Sequence, residues 1–295
     1  MTERPKQRVA RIRPPKAYAL PSRPPEPAGE AAQDAYRQTR FLLGNDLDLF
    51  AEAMELQLKL ADDANPATSS QYRTHELAAI SALWSRAYAG LADALLLVTR
   101  GSYTSVLPLV RAAAELIAAQ EGLRAEEMEL HHEWLANTLR PDETHKAFEF
   151  HLGRYFAGGV VAGEDVLRSV YRPASDLARP AFGASLLVVG PESSNTRLAL
   201  NFADASFHQG WAEITLGWLL ALAARQVKVI VDADGIFPVS EERRTAYESL
   251  QRRVDEALSR RDRCRIEEIA VGYDRRYLVH NFRRGSSGSP KRILL

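Results

Sequence analysis

The fold is decided by residues 77–121, which read LAAISALWSRAYAGLADALLLVTRGSYTSVLPLVRAAAELIAAQE. In the first half, apolar residues recur at steps of three and four, at Ile80, Leu83, Ala87, Leu91, Leu95 and Val98. The second half repeats this pattern at Val106, Leu109, Val110, Ala113 and Ile117. Such spacing places one apolar stripe on each of two helices. Between them, Gly101 suits a left-handed helix end and Ser102 a helix N-cap, so the sequence predicts a helical hairpin that turns at residues 100–102.

The composition is that of an ordinary globular protein, with 295 residues, 46% hydrophobic and 26% charged. The best candidate for a membrane span, residues 214–224, is followed at once by Arg225 and falls well short of the roughly 20 apolar residues required. We therefore expect no membrane partner. The basic, proline-rich N-terminus lacks the apolar stretch of a signal peptide. The single cysteine, Cys264, excludes an internal disulfide and a thiolate-rich zinc site, and it fits a reducing, cytoplasmic location.

The formal net charge of zero conceals an asymmetry along the chain. Residues 1–30 carry a net charge of +4 and residues 260–295 a net charge of +6, so the body at 31–259 carries −10. We predict a disordered arm rich in proline and arginine at 1–30, a helical domain at 31–259 and a basic C-terminal tail at 260–295. Basic ends on an acidic body suggest nucleic acid, a membrane surface or a neighbouring copy as their partner, and the plain alternative is solvated termini.

The rest of the chain also has a mainly helical pattern. Helices are expected at 125–139 and at 141–155, with Pro141 in the first turn of the second. One segment favours β structure, because the apolar runs at 185–189 and 197–200 flank a turn-rich stretch. The predicted fold is therefore all-α: a bundle of seven or eight helices with a small β-hairpin insertion and disordered basic termini.

One polar cluster stands out within the predicted helical hairpin. Asp93 and Arg111 lie at similar distances from the turn, and Glu115 follows Arg111 by one helical turn. A carboxylate, a guanidinium and a second carboxylate among so many apolar residues should form ion pairs if they are buried. The cluster is either an internal salt bridge that fixes the helix register or a ligand or catalytic site.

Part of this pattern resembles an uncharacterised bacterial family of all-helical proteins. The family has a glycine between two helices, then arginine and, four residues later, glutamate, which here are Gly101, Arg111 and Glu115. Further on the family has tyrosine, serine and histidine-proline at four-residue steps, and this chain has Tyr171, Ser175 and Arg179-Pro180. Arg179 thus replaces the histidine of the pattern. The resemblance implies a helical fold akin to that of HEPN nuclease-like proteins, and it implies no known reaction.

HEPN ribonucleases combine an arginine with a histidine a few residues later. Three pairs in this chain have similar spacing, which is close to the number that chance gives for 32 arginines and seven histidines: Arg124/His131, Arg140/His145 and Arg275/His280.

A di-metal site of the ferritin-like kind is another possibility, because Glu129/His132 has the required i, i+3 spacing. Asp142/His145 is a near match, and Glu115 or Glu76 could supply the single glutamate ligand that such a site takes from each of its other helices. We interpret the charge-rich segment as solvated surface and expect no metal and no other cofactor. His208, one helical turn after Asp204, is interpreted as a paired structural histidine.

These patterns favour a non-catalytic, cytosolic helical protein that acts by binding or as a scaffold, as a homo-oligomer. The alternatives are a HEPN-like, metal-independent ribonuclease and a nucleic-acid-binding protein that uses its basic termini.

Overall fold

The computed structural model describes residues 15–64, 75–124, 139–141, 148–150, 158–191, 193, 199–200, 202, 205–233, 235–271, 274–283 and 292–295. The helices in this part of the chain are α1 Glu30–Leu42, α2 Gly44–Asp63, α3 His75–Val98, α4 Tyr103–Arg124, α5 Gly158–Gly163, α6 Asp165–Ala178, α7 Phe182–Val189, α8 Gln209–Val231 and α9 Glu241–Leu258. The strands are β1 Leu139–Pro141, β2 Phe148–Phe150, β3 Arg265–Val271, β4 Asp274–His280 and β5 Arg292–Leu294. The predicted fold class, helical with a small antiparallel β element, is confirmed.

The α3–α4 hairpin forms as the periodicity predicts. Most of the two predicted stripes is fully buried, and Leu83 and Leu109 are partly buried against the same core. Gly101 has a φ of +76° at the turn, and an added Cβ would lie 2.2 Å from the carbonyl oxygen of Ala205. Glycine is therefore required here both by the backbone conformation and by the close approach of a second chain segment.

Helix α8 is the centre of the core. It packs against α2, α3, α4, α6 and α9, and its buried residues cover its whole circumference. By length and composition alone α8 could cross a membrane, but 83% of its most apolar window is buried inside the protein. A helix that is hydrophobic all round and surrounded by other helices is typical of a core helix.

Amide side chains join α4 to α8 within this apolar core. The amides of Gln120 and Gln226 exchange two hydrogen bonds, at 2.8 and 2.7 Å. Next to them, Arg225 lies 2.5 Å from Glu121 and 3.8 Å from Glu164. Because a buried amide without a partner is unfavourable, this reciprocal pair favours one register of α4 against α8.

The C-terminal strands form an antiparallel sheet in the order β3-β4-β5. The register pairs Ile266 with Val279 and Val279 with Ile293, so these side chains share the face that packs on the helices. The described part of the predicted tail at 260–295 is therefore folded. A fully buried ion pair between Asp46 of α2 and Arg263 ties the start of the sheet to the bundle.

The β element does not lie where the sequence predicts it. The expected first strand, residues 185–189, belongs to helix α7, in which the amide of Ser185 donates to the carbonyl of Ala181 at 2.9 Å. The prediction of a β-hairpin at 185–200 is therefore wrong. A short apolar run fits a buried helix as well as a strand, so its composition alone could not decide between them.

The two helices predicted at 125–139 and 141–155 are also corrected where the structure describes them. Leu139–Pro141 and Phe148–Phe150 pair as antiparallel strands β1 and β2. Pro141 is therefore the last residue of a strand instead of the first turn of a helix. The remaining residues of the two segments lie outside the described residues.

In the predicted N-terminal arm, residues 15–29 lie along the bundle, and residues 1–14 lie outside the described residues. The backbone amide of Tyr18 donates to the Glu55 carboxylate at 2.8 Å. The Tyr18 ring meets Phe50 and Tyr88 edge to face, with ring centroids 6.0 and 6.4 Å apart. The arm thus contributes an aromatic contact to the α2–α3 side of the bundle.

Candidate functional site

The predicted polar cluster in the helical hairpin is only partly assembled. Arg111 and Glu115 form an i, i+4 ion pair at 3.3 Å on the surface of α4. Asp93 is exposed on α3, and among the described residues it forms no ion pair with Arg111. The Arg111 guanidinium instead lies 5.8 Å from the ring centroid of Tyr171. The ion pair lies within α4, and the cation–π contact connects α4 to α6. Each is worth about 1 kcal/mol or less.

Helix α6 carries the other residues of the predicted pattern. Ser175 is buried, and its hydroxyl has no hydrogen-bond partner among the described residues. Arg179, directly after the helix, donates to Asp176 at 3.3 Å. Tyr171, Ser175 and Arg179 therefore follow one another along α6 without forming a shared polar site.

Asp176 is the residue of α6 that the sequence analysis missed. Its carboxylate accepts hydrogen bonds from Arg275 at 2.8 Å and from the Tyr277 hydroxyl at 2.6 Å. Burial, and then the hydrogen bond to Asp176, raises the pKa of Tyr277 well above its usual value. Arg172, one turn earlier, pairs with Glu268 of β3 at 2.8 Å. These contacts attach the C-terminal sheet to α6, and no local sequence pattern indicates them.

His208 has a structural role at the start of α8. Its Nδ1 accepts a hydrogen bond from the amide of Trp211 at 3.2 Å, which caps the helix, and its ring lies 4.5 Å from the ring of Phe282. Its own backbone amide donates to the Tyr103 hydroxyl at 3.3 Å. The partner that the sequence suggests for His208, Asp204, lies outside the described residues, and the described contacts are with these other groups.

A cleft of about 290 Å³ opens beside His208. Its polar lining comes from residues at or just before the N-terminal ends of α4 and α8, and it includes Ser102, Thr104, Ser105 and Ser206. Its apolar wall includes Val188 and Val189 of α7. The cleft thus combines an uncharged rim of hydroxyl groups with an apolar side.

The apolar wall continues onto the protein surface. Residues 180–191 contain no charged side chain, and Phe182 of α7 is 83% exposed. The Ser193 hydroxyl hydrogen-bonds both backbone groups of Ala199, at 3.0 and 3.1 Å, which holds the following residues near the end of α7. Phe202 there is fully exposed. We name the α7 surface after the helix that begins it, and it consists of the exposed apolar residues of α7 and of the chain that follows: Phe182, Val189, Leu200 and Phe202.

The residues proposed for metal or nuclease chemistry do not converge in the described part of the chain. No group of three or more histidine, cysteine, aspartate or glutamate residues there is placed to hold a metal ion. Arg275 and His280 are five residues apart on β4 and so point to opposite faces of the sheet. Arg275 binds Asp176, whereas His280 lies 2.8 Å from Glu267. The side chains of Glu76, Glu129, His131, His132, Arg140, Asp142 and His145 lie outside the described residues.

Comparison with known proteins adds no assignment: no family model matches the chain, and neither the curated proteins nor the solved structures give a significant match.

Proposed function

We propose that this chain is a non-catalytic, cytosolic helical protein that acts by binding, and that it self-associates through the α7 surface. The observation that carries the proposal is the exposure of two phenylalanines, Phe182 at the start of α7 and Phe202 in the chain that follows it. Phe182 belongs to an uncharged stretch whose residues Val188 and Val189 line a cleft. Large apolar side chains exposed together are typical of interaction sites in globular proteins.

The energetics suit a dimer of moderate strength. Burying one phenylalanine side chain contributes roughly 1.5–3 kcal/mol. A two-fold symmetric contact uses the same surface on both copies, so Phe182 and Phe202 would supply four such side chains, or roughly 6–12 kcal/mol before the cost of association. A micromolar dissociation constant corresponds to about 8 kcal/mol. At the upper end of this range and with an association cost of about 4 kcal/mol, about 8 kcal/mol remains, which corresponds to a dissociation constant in the micromolar range.

The cleft gives the contact a place for an anchoring side chain. Strong interface residues are commonly aromatic and insert into a pocket on the partner. Val189 belongs both to the α7 surface and to the wall of the cleft, so an aromatic side chain from a second copy would reach the cleft within the same interface. This geometry favours a second copy of the chain as the partner.

The polar residues singled out from the sequence fit a binding protein better than a ribonuclease. His208 is engaged in helix capping and ring stacking, and Arg111 is paired with Glu115. The one Arg/His pair with both side chains described, Arg275 and His280, is divided between the two faces of a strand. A nuclease dyad needs both groups on one side, so no observation here supports a second, catalytic proposal.

The test is the molar mass in solution by gel filtration with light scattering, at about 100 µM and after dilution to about 1 µM. We expect dimers at the higher concentration for the unmodified chain and monomers for a variant with Phe182→Glu and Phe202→Glu. The matched control is Phe41→Glu, because Phe41 is 86% exposed but lies on α1. A monomeric unmodified chain at the higher concentration, or a double variant that still dimerises like the control, would refute the proposal. Circular dichroism spectra establish that the variants are folded.

A further inference from the structure

The C-terminal sheet presents a second, chemically different surface. Antiparallel pairing puts Arg265, His280 and Arg292 directly beside one another across the three strands. Arg276 lies on the same face of β4, since it is four residues from His280. This face is opposite to the one that packs on the helices. We call it the outer sheet face.

The arginines of the outer sheet face have no acidic partner among the described residues. Arg265, Arg276 and Arg292 are all exposed, and none takes part in an ion pair in the described part of the chain. The neighbouring carboxylate, Glu267, lies 2.8 Å from His280. Two of the three arginines, Arg265 and Arg292, flank His280 in the row, so positive charge is concentrated where the row crosses the three strands.

On the opposite face of the sheet, by contrast, an arginine forms an ion pair with a nearby carboxylate. Arg275, next to Arg276 in sequence, donates to Asp176 at 2.8 Å. Just before β3, Arg263 is buried against Asp46. The unpaired arginines are thus confined to the solvent side, where their charges are available to an external anion.

The spacing of these charges matches a polyanion. Neighbouring strands lie about 4.8 Å apart, so Arg265 and Arg292 are separated by about 10 Å across β4. Arg276 lies about 14 Å along β4 from the row, at roughly 3.4 Å per residue. Phosphates of one strand are spaced about 3.4 Å along the axis of a duplex and more widely along an extended single strand, so the three guanidinium groups can contact separate phosphates of one strand. Arginine binds phosphate oxygens through two parallel N–H donors, which a lysine cannot do.

We propose that the outer sheet face binds the phosphodiester backbone of nucleic acid. The apolar side chains that the structure describes on this face support nucleic acid over a lipid surface, because Ile269 and Leu278 are only partly exposed and, among them, Leu294 alone is exposed. A membrane-binding face would offer several such side chains for insertion. The proposal is independent of the α7 surface, which lies on a different element.

The experiment is fluorescence anisotropy with the full-length protein and a labelled single-stranded RNA of mixed sequence, with a DNA strand of equal length in parallel, over a salt series. A variant with Arg265→Gln, Arg276→Gln and Arg292→Gln removes the three charges but keeps polar side chains. Each lost phosphate contact lowers the slope of log affinity against log salt by about 0.7, so the slope should fall by about 2. At low salt we expect an affinity loss of about tenfold or more.

The matched control is Arg86→Gln, because Arg86 is exposed on α3 and makes no ion pair among the described residues. Its affinity and salt slope should equal those of the unmodified chain. The proposal is overturned if the unmodified chain binds neither RNA nor DNA at low salt, or if the triple variant retains the unmodified slope and affinity. It is equally overturned if the outer sheet face binds phosphatidylserine vesicles while both nucleic acids fail to bind.

Discussion

The buried ion pair between Asp46 and Arg263 makes a strong prediction about stability. The two side chains are 1% and 3% exposed, and Arg263 also donates to the backbone carbonyl of Glu213 at 3.0 Å. Replacing Asp46 by asparagine keeps the shape of the side chain but leaves a guanidinium charge buried without its counter-ion. Removing one partner of such a pair costs about 3–5 kcal/mol, which corresponds to a decrease in Tm of about 6–20 °C for a protein of this size.

The chain offers a matched control between the same parts of the fold. Glu52 of α2 pairs with Arg253 of α9, and both side chains are about half exposed. Asp46 is also on α2, and Arg263 follows α9 by a few residues. Since water screens the exposed pair, Glu52→Gln should cost less than about 1 kcal/mol. The two substitutions therefore differ mainly in burial.

The assay is denaturant unfolding followed by tryptophan fluorescence, because Trp84, Trp211 and Trp218 are buried and report on the core. We expect the loss from Asp46→Asn to exceed the loss from Glu52→Gln by at least about 2 kcal/mol. The double substitution Asp46→Leu with Arg263→Met should recover most of the loss, because it removes both charges from the interior. Equal losses at the buried and the exposed pair would refute the reasoning.

Two further predictions concern the turn of the helical hairpin and the tyrosines. Gly101→Ala should destabilise the protein by more than about 1 kcal/mol, because the added Cβ would overlap the Ala205 carbonyl. The control Gly90→Ala places its Cβ in free space within α3 and should stabilise the protein by about 0.5–1 kcal/mol. Thermal unfolding that ranks the two variants in the opposite order contradicts this expectation. Burial raises the pKa of Tyr88 and of Tyr247 to about 12, and it raises the pKa values of Tyr18, Tyr103 and Tyr277 as well. The folded chain therefore keeps tyrosine protons that the unfolded chain releases at a pH of about 10. The free energy of unfolding should keep the full contribution of these tyrosines below that pH and should decrease as the pH rises to 12. Denaturant midpoints that stay constant over this interval would contradict the expectation.

The sequence was most informative where its pattern was long. The α3–α4 hairpin follows from apolar residues repeated over many turns, and the glycine at its turn was recognisable because its residue type limits the backbone. The apolar run at 185–189 is too short to show a helical period, so its composition predicts a strand where the structure has α7. Near Pro141 the sequence favours a helix start, yet pairing with Phe148 gives a strand.

The polar contacts that organise the surfaces could not be predicted in the same way. Asp46 and Arg263 are 217 residues apart, and Asp176 and Tyr277 are 101 residues apart. Nothing in the local composition connects them, because the partners meet only when the helices have packed. The charge excess of residues 260–295 is visible in the sequence, but the division into paired arginines on the inner face and unpaired arginines on the outer face depends on the register of the strands.

The central position of α8 has a consequence for the synthesis of the chain. Helices α2, α3 and α4 leave the ribosome with the apolar faces that α8 will cover, and α8 is complete only 107 residues after Arg124. At a synthesis rate of roughly 5–20 residues per second, about 5–20 s pass between the synthesis of Arg124 and the completion of α8. The nascent chain therefore passes through a period in which most of its future interior is open to water, a situation in which chaperones commonly engage a polypeptide.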